Sequence, residues 1–329
     1  DDAKKNAPEM YAIAHSYAEG KAQDMKVFIR GNPARQSEVA PRRFLRIIEG
    51  SDRVHYTSGS GRLELADAIT DPGNPLTARV MVNRIWQHHF GRGIVGTPSN
   101  FGKLGDAPTH PELLDFLAWT FVEQGWSIKQ LHREIMLSAT YQLSSVSNSH
   151  CAGIDADNRY LWRASRRRLD VESWRDSLLA ISGELDRTME GASTDLGDSG
   201  NVRRTVYGKI SRHELDSLLR LFDFPDANIT SSKRNETTVP QQQLFVLNSS
   251  FMIRQAKAFS SRLHKEVPDG DEERVKRAFR LAFSRLPTQA ELDLGLAYLS
   301  QTPDPDSELT QWESYSQVLL GSNEVMYVD

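Results

Sequence analysis

The chain has 329 residues, 39% of them apolar and 26% charged, and a formal net charge of -4. This composition excludes wholesale disorder, which needs fewer apolar groups and more unbalanced charge. So small a net charge gives no global reason to expect nucleic acid or an anionic membrane as partner. Cys151 is the only cysteine, so no intramolecular disulfide and no Cys-x-x-Cys-His haem attachment is available.

The first residues, Asp1-Asp2-Ala3-Lys4-Lys5, are polar and carry no signal-peptide pattern. No apolar run approaches the roughly 18 to 20 residues that cross a bilayer. Glu9 to Tyr17 reads as a strand, and so does the compact apolar stretch Met25 to Ile29. The turn residues Ala18 to Lys21 lie between them, which predicts a small N-terminal β-hairpin. Arg30-Gly31-Asn32-Pro33 is read as the stop after the second strand. Ser58-Gly59-Ser60-Gly61 is read as a hinge into a helical region.

From there the signals are helical. Asn74-Pro75 supplies a cap and a first-turn proline before Leu76 to Phe90, and Gly91 suits the helix C-cap. Ser/Thr-x-x-Glu/Gln boxes occur at Thr109/Glu112, Ser127/Gln130, Ser211/Glu214, Thr238/Gln241 and Thr288/Glu291. Apolar residues recur at three and four positions in Leu113 to Val122, in Val171 to Leu185, in Leu244 to Phe251 and in Val275 to Phe283. These patterns predict a mainly α protein, a multi-helix globular bundle with at least eight helices and a small N-terminal sheet. Val202 to Ile210 is a possible third strand. Residues 186–201 have almost nothing to bury and read as a long surface loop. Cys151, after the polar run Ser144 to His150, reads as a loop thiol. The expected organisation is a β-containing segment at 1–57, a helical lobe at 58–185, the loop at 186–201 and a second helical lobe at 202–329, the lobes packed as one unit.

One block is distinctive: Asn74 to Gly102, with Asn83-Arg84-Ile85-Trp86-Gln87-His88-His89-Phe90-Gly91 at its centre. Pro108 to Asp115, Gly125 to Lys129, Leu131 to Tyr141, Arg166 to Asp170, Phe222 to Asp226, Gln241 to Asn248 and Ser322 to Asp329 accompany it, as do Arg30 to Pro33 and Pro41 to Leu45. Together these blocks resemble a planctomycete-type family. It is a domain of unknown function at the C-terminal end of large exported proteins that carry cytochrome-c-like domains. The resemblance covers nearly the whole chain. It implies a periplasmic or extracellular location and a cytochrome-c-like domain or other envelope protein as partner. Haem would belong to a separate neighbouring domain, and no catalytic residue is implied.

The polar residues of the helix and its following loop are the first candidate ligand site: Arg79, Asn83, Arg84, His88, Asn100 and His110. A largely buried helix carrying two arginines, an asparagine and histidines must satisfy all of them. The structural reading has Arg84 buried against carbonyls or carboxylates; the functional reading has a polar pocket. The glycine-rich loop Gly91 to Gly102 lacks the P-loop lysine and spacing. His88, His89, His110 and His132 do not show chelating spacing, so neither a metal nor a cofactor is expected in this chain. The arginines between Arg159 and Arg175 alternate with Tyr160, Trp162 and Trp174. Flanking aspartates favour internal pairing over single-stranded nucleic acid. Asp223 and Asp226, with Glu236 nearby, fit a carboxylate pair for glycoside hydrolysis, yet Phe222 to Asp226 fits a capped turn better. The leading expectation is an extracytoplasmic binding or scaffold module that holds a partner domain or a polysaccharide. The alternative is an extracytoplasmic hydrolase or related enzyme acting on polysaccharide.

Overall fold

The computed structural model describes residues 16–302 and 305–328. Among them are fourteen α-helices and two small antiparallel strand pairs, a mainly α fold with an N-terminal hairpin. No helix of the described residues is long and apolar enough to cross a membrane.

The hairpin differs from the expected one. β1 (Met25–Phe28) pairs antiparallel with β2 (Gln36–Ala40), Met25 opposite Ala40 and Phe28 opposite Gln36. Arg30-Gly31-Asn32-Pro33 is thus the turn between the strands and not the end of the sheet. Arg30 and Gly31 both take left-handed backbone angles, φ 55° and 73°, which reverse the chain, and Asn32 accepts from the Ala34 N–H. Glu9 to His15 of the expected first strand lie outside the described residues, while Ser16 and Tyr17 are irregular.

α1 (Arg46–Glu49) and α2 (Arg62–Thr70) lead to α3 (Thr77–Phe90). Asn74 does not cap α3. Its Oδ1 accepts from the Leu76 N–H at 3.0 Å and its Nδ2 donates to Ala68, which joins the start of α3 to the end of α2. Gly91 does close the helix, at φ 80° with its N–H donating to Gln87 O. α4 (Pro111–Glu123) and α5 (Ile128–Leu137) pack on α3. Val82, Ile85 and Trp86 of α3, Leu117 and Phe121 of α4, and Leu131 and Ile135 of α5 form one apolar core. α6 (Ser149–Ile154) follows, capped by Asn148, whose Oδ1 accepts from His150 and Cys151. Cys151 therefore sits in a short helix and not in a loop, because Asn148 supplies the cap that the polar run conceals.

β3 (Arg167–Arg168) comes next and leads into α7 (Val171–Ser182), which Asp170 caps by accepting from Ser173 at 2.8 Å. α8 (Ser217–Leu221), α9 (Pro240–Asn248), α10 (Ser250–Glu266), α11 (Asp271–Phe283), α12 (Gln289–Leu299), α13 (Gln311–Leu320) and α14 (Asn323–Met326) complete the helices. Trp174 and Leu178 of α7 share a second core with Phe259, Leu263, Val275, Phe279 and Leu320. α7 thus buries its face in the second core, although it falls within the 58–185 stretch of the sequence. The final β4 (Tyr327–Val328) pairs with β3, Arg168 opposite Tyr327.

The third strand expected at Val202 to Ile210 is instead an irregular stretch with a 3-10 turn, Thr205–Tyr207. Asp176 accepts from both the Thr205 N–H and its hydroxyl at 2.7 Å, and the stretch pairs with the preceding loop only through the isolated bridges Asp186–Arg203 and Thr194–Gly208. Beside it Arg175, only 1% exposed, donates to Asn201 O at 2.6 Å, Arg203 O at 3.0 Å and Thr205 Oγ1 at 3.1 Å. The loop 186–201 is therefore anchored on α7 at its far end.

Two of the five boxes start helices as expected: Ser127 accepts from Gln130, and Thr288 and Glu291 cap reciprocally. At Thr109 the N-cap position is taken by His110, and Thr109 Oγ1 donates to Ile94 O. Ser211 closes only a turn, and Asp216 caps the helix behind it. At Thr238 the helix begins with Pro240, so the cap falls one residue later. A sixth box, Thr310 with Glu313, starts α13.

Candidate functional site

Where the two cores meet, a cavity of about 370 Å³ opens between the end of α3, β3, the first turn of α7 and the loops around residues 222 and 235. Its walls are fixed by long-range polar bonds. Gln87 donates to Ser232 O at 3.3 Å, tying the 232–237 loop to α3. Arg167 donates through Nη1 to His88 O at 2.5 Å. The Arg167 stem crosses Gly91 so closely that a Cβ there would lie 2.9 Å from its Cδ. Gly91 is therefore required twice, for its left-handed angle and for its lack of a side chain.

Arg168 and Asp223 line the cavity, and both are joined to Thr237. Asp223 has φ 64°, a left-handed angle that aspartate tolerates better than most residues. Its carboxylate accepts from the Thr237 N–H at 2.9 Å and the Thr237 hydroxyl at 2.6 Å. Arg168 donates to Thr237 O at 2.6 Å, lies 3.6 Å from Asp223 Oδ2, and covers the Phe222 ring at 5.5 Å. One wall is held by Arg234, which grips Glu172 of α7 through both oxygens at 2.6 and 2.7 Å and covers Phe224 at 5.0 Å. With Glu172 so placed, the Arg234 guanidinium is pushed further toward its charged form.

Against this braced frame stand side chains with no hydrogen bond or ion pair among the described residues: His88, Lys233, Asn235 and Glu236. Lys233, Asn235 and Glu236 are exposed, free to meet a ligand.

Of the six residues proposed from sequence, only His88 lines this cavity. Arg79 pairs with Asp115 of α4 at 2.7 Å and donates to Pro75 O. Asn83 is fully buried and bonds the Val95 backbone at both its N–H and its carbonyl. Arg84, expected to be buried and partnered, is exposed and has no partner among the described residues. The reason is helical geometry: the ~100° step from Asn83 carries the next side chain from core to solvent. Asn100 closes its own turn by accepting from Gly102 at 3.0 Å. His110 lies 2.9 Å from Thr109 Oγ1 and edge-on to Tyr160.

Asp226 accepts from Asn228 at 2.8 Å in a turn of its own, whereas Asp223 reaches across to Thr237, so the two carboxylates serve separate contacts. His89 Nε2 and His132 Nδ1 are 2.7 Å apart, joining α3 to α5. Among the described residues no group of three or more His, Cys, Asp or Glu is placed to hold a metal ion. Sequence reasoning weighed Arg167 and Arg168 only within the basic stretch Arg159 to Arg175, and did not single out Lys233, Arg234 or Asn235. A signal existed for the first two: the blocks 166–170, 222–226 and 322–329 all contribute to this cavity. Residues 233–236 carry no periodicity or motif.

Fold and cavity together define a mainly helical protein with an arginine-rich cleft between two apolar cores. The family model described as PSD1, protein of unknown function (DUF1553), matches residues 61–299, and the chain belongs to that family. No curated protein and no solved structure matches it.

Proposed function

We propose that this chain is an extracytoplasmic binding module, set beside a cytochrome-c-like domain, and that its cleft holds a polysaccharide. The location and the neighbouring domain rest on the resemblance of the Asn74 to Gly102 block and its companions. The cleft carries the ligand reading. Its single strongest support is the contrast between a frame braced by internal hydrogen bonds and ion pairs and unpartnered groups of both kinds on the same walls. Lys233 and Asn235 offer donors, while Glu236 and the Asn235 carbonyl offer acceptors. A sugar hydroxyl both donates and accepts, so it needs both. Pre-braced walls lower the ordering cost of gripping it.

The hydrolase reading has less to stand on. Both Asp223 oxygens are committed to Thr237 and Asp170 is engaged as the cap of α7, so neither stands beside Glu236 as an uncommitted carboxylate. Affinity electrophoresis through gels containing soluble neutral and acidic polysaccharides tests the proposal. The chain should be retarded by at least one polymer, and Lys233→Ala with Asn235→Ala should restore free mobility. Free mobility of the wild-type chain in every gel would reject it.

A further inference from the structure

Resting on that reading, we propose that the sugar in the cleft is an acidic one, a uronate whose carboxylate docks on Arg167. The charges around the cavity largely cancel within the protein. Arg168 lies against Asp223 and Arg234 against Glu172. Asp170 sits at the N-terminus of α7, where the helix dipole and the Ser173 N–H stabilise its charge. Arg167, Arg168, Lys233 and Arg234 are matched in number by Asp170, Glu172, Asp223 and Glu236, yet Arg167 has no acidic group at ion-pair distance among the described residues. A ligand carboxylate supplies the counter-charge that Arg167 lacks.

Arg167 also has the right geometry. Its only hydrogen bond among the described residues uses Nη1, on His88 O. The Nε and Nη2 edge is left without a protein partner, and those two N–H bonds run parallel. That edge matches the two oxygens of a planar carboxylate. The anchor on His88 and the stem laid over Gly91 hold the guanidinium before the ligand arrives, so little side-chain entropy is lost on binding. A polyacidic peptide fits less well. Its side chains offer carboxylates alone, with no hydroxyls to meet the mixed donors and acceptors of Lys233, Asn235 and Glu236.

The test is titration calorimetry with tetragalacturonate and with its methyl ester, the same oligosaccharide with the charge removed. The free acid should bind, more weakly as salt rises, and the ester should bind at least about tenfold more weakly. Arg167→Gln should weaken the acid by about tenfold and leave the ester unchanged. Lys233→Gln, at an exposed position outside the packed frame, provides the same comparison if Arg167→Gln does not fold. Equal affinity for acid and ester overturns the acidic-sugar inference and leaves the polysaccharide reading intact. Binding of neither overturns this inference, and gel retardation by other polymers then judges the broader reading separately. Tighter binding of tetraglutamate than of tetragalacturonate overturns it in favour of an acidic peptide.

Discussion

Asn83 clasps Val95. Its Nδ2 donates to the Val95 carbonyl at 3.1 Å and its Oδ1 accepts from the Val95 N–H at 2.8 Å, all within a fully buried setting. This pair fastens the loop after α3 to the first core, and Gly93 leaves the room for it: a Cβ there would lie 2.6 Å from Asn83 Nδ2. Asn83→Ala strands a buried donor and a buried acceptor, and should cost about 3 kcal/mol. Arg84→Ala, one residue on, removes an exposed side chain without partners and should change stability by less than about 0.5 kcal/mol. Denaturant melts of the two variants decide it. Equal losses would show that Arg84 has a structural partner after all.

Arg175 holds the far end of the 186–201 loop with three hydrogen bonds from a side chain that is 1% exposed. Burial pulls its pKa below the ordinary value, so the charge is kept at a cost that the carbonyls of Asn201 and Arg203 offset. A lysine cannot span three acceptors that a guanidinium fork reaches. Arg175→Lys should lose about 2 kcal/mol and open the loop to trypsin, which has Arg187 within reach. Mass spectrometry of limited digests reads the cut. An unchanged digestion pattern would mean that the loop is held elsewhere.

The helices were legible because burial imposes a period on the sequence. Val171, Trp174, Leu178 and Ile181 recur at three and four residues, and all four sit in one core. The hairpin partner was not legible, because residue composition does not tell a strand stop from a turn. Only the left-handed angles of Arg30 and Gly31 make the difference. The arginines between 159 and 175 show a second blind spot. Nearby aspartates predicted ion pairs, yet Arg167, Arg168 and Arg175 bond backbone carbonyls of residues 88, 237, 201 and 203. Carbonyls are present at every position, so no residue type announces them as partners. The cleft was missed for the same reason: its walls join segments far apart in sequence through contacts that leave no spacing behind.

His89 should make the chain sensitive to mild acid. Burial is the larger cause holding its ring below the ordinary 6.5, and neighbouring His132 is the next. The unfolded chain therefore takes up a proton near that pH that the folded chain resists. Stability is full above the unfolded value and falls as pH drops through it. The melting temperature of His89→Asn should fall less than that of the wild type between about pH 7 and 5.5. The comparison is of slopes, since losing the bond to His132 lowers the variant at every pH. Parallel slopes would refute the assignment.

Arg285 joins the last helices in a three-way charge cluster. It binds Glu291 at 2.7 and 2.9 Å and Glu324 at 2.6 and 2.8 Å, while lying over Phe279 and Phe283. Glu291 also receives the Thr288 N–H at 2.7 Å in the capping box of α12. The Arg285 guanidinium is the main cause that lowers the Glu291 carboxyl from 4.5 to about 2. Between those values the carboxyl is charged in the folded chain and protonated in the unfolded one. The unfolded state binds the extra proton, so the contribution is whole above 4.5 and disappears as pH falls toward 2. Glu291→Gln keeps an acceptor for the Thr288 N–H and removes the titration. Its melting temperature should lie below wild type at neutral pH, and the gap should narrow steadily through this acid window. Differential scanning calorimetry across the window measures the gap. A constant gap would show that Glu291 stabilises the chain through its hydrogen bonds alone, with no part played by its charge.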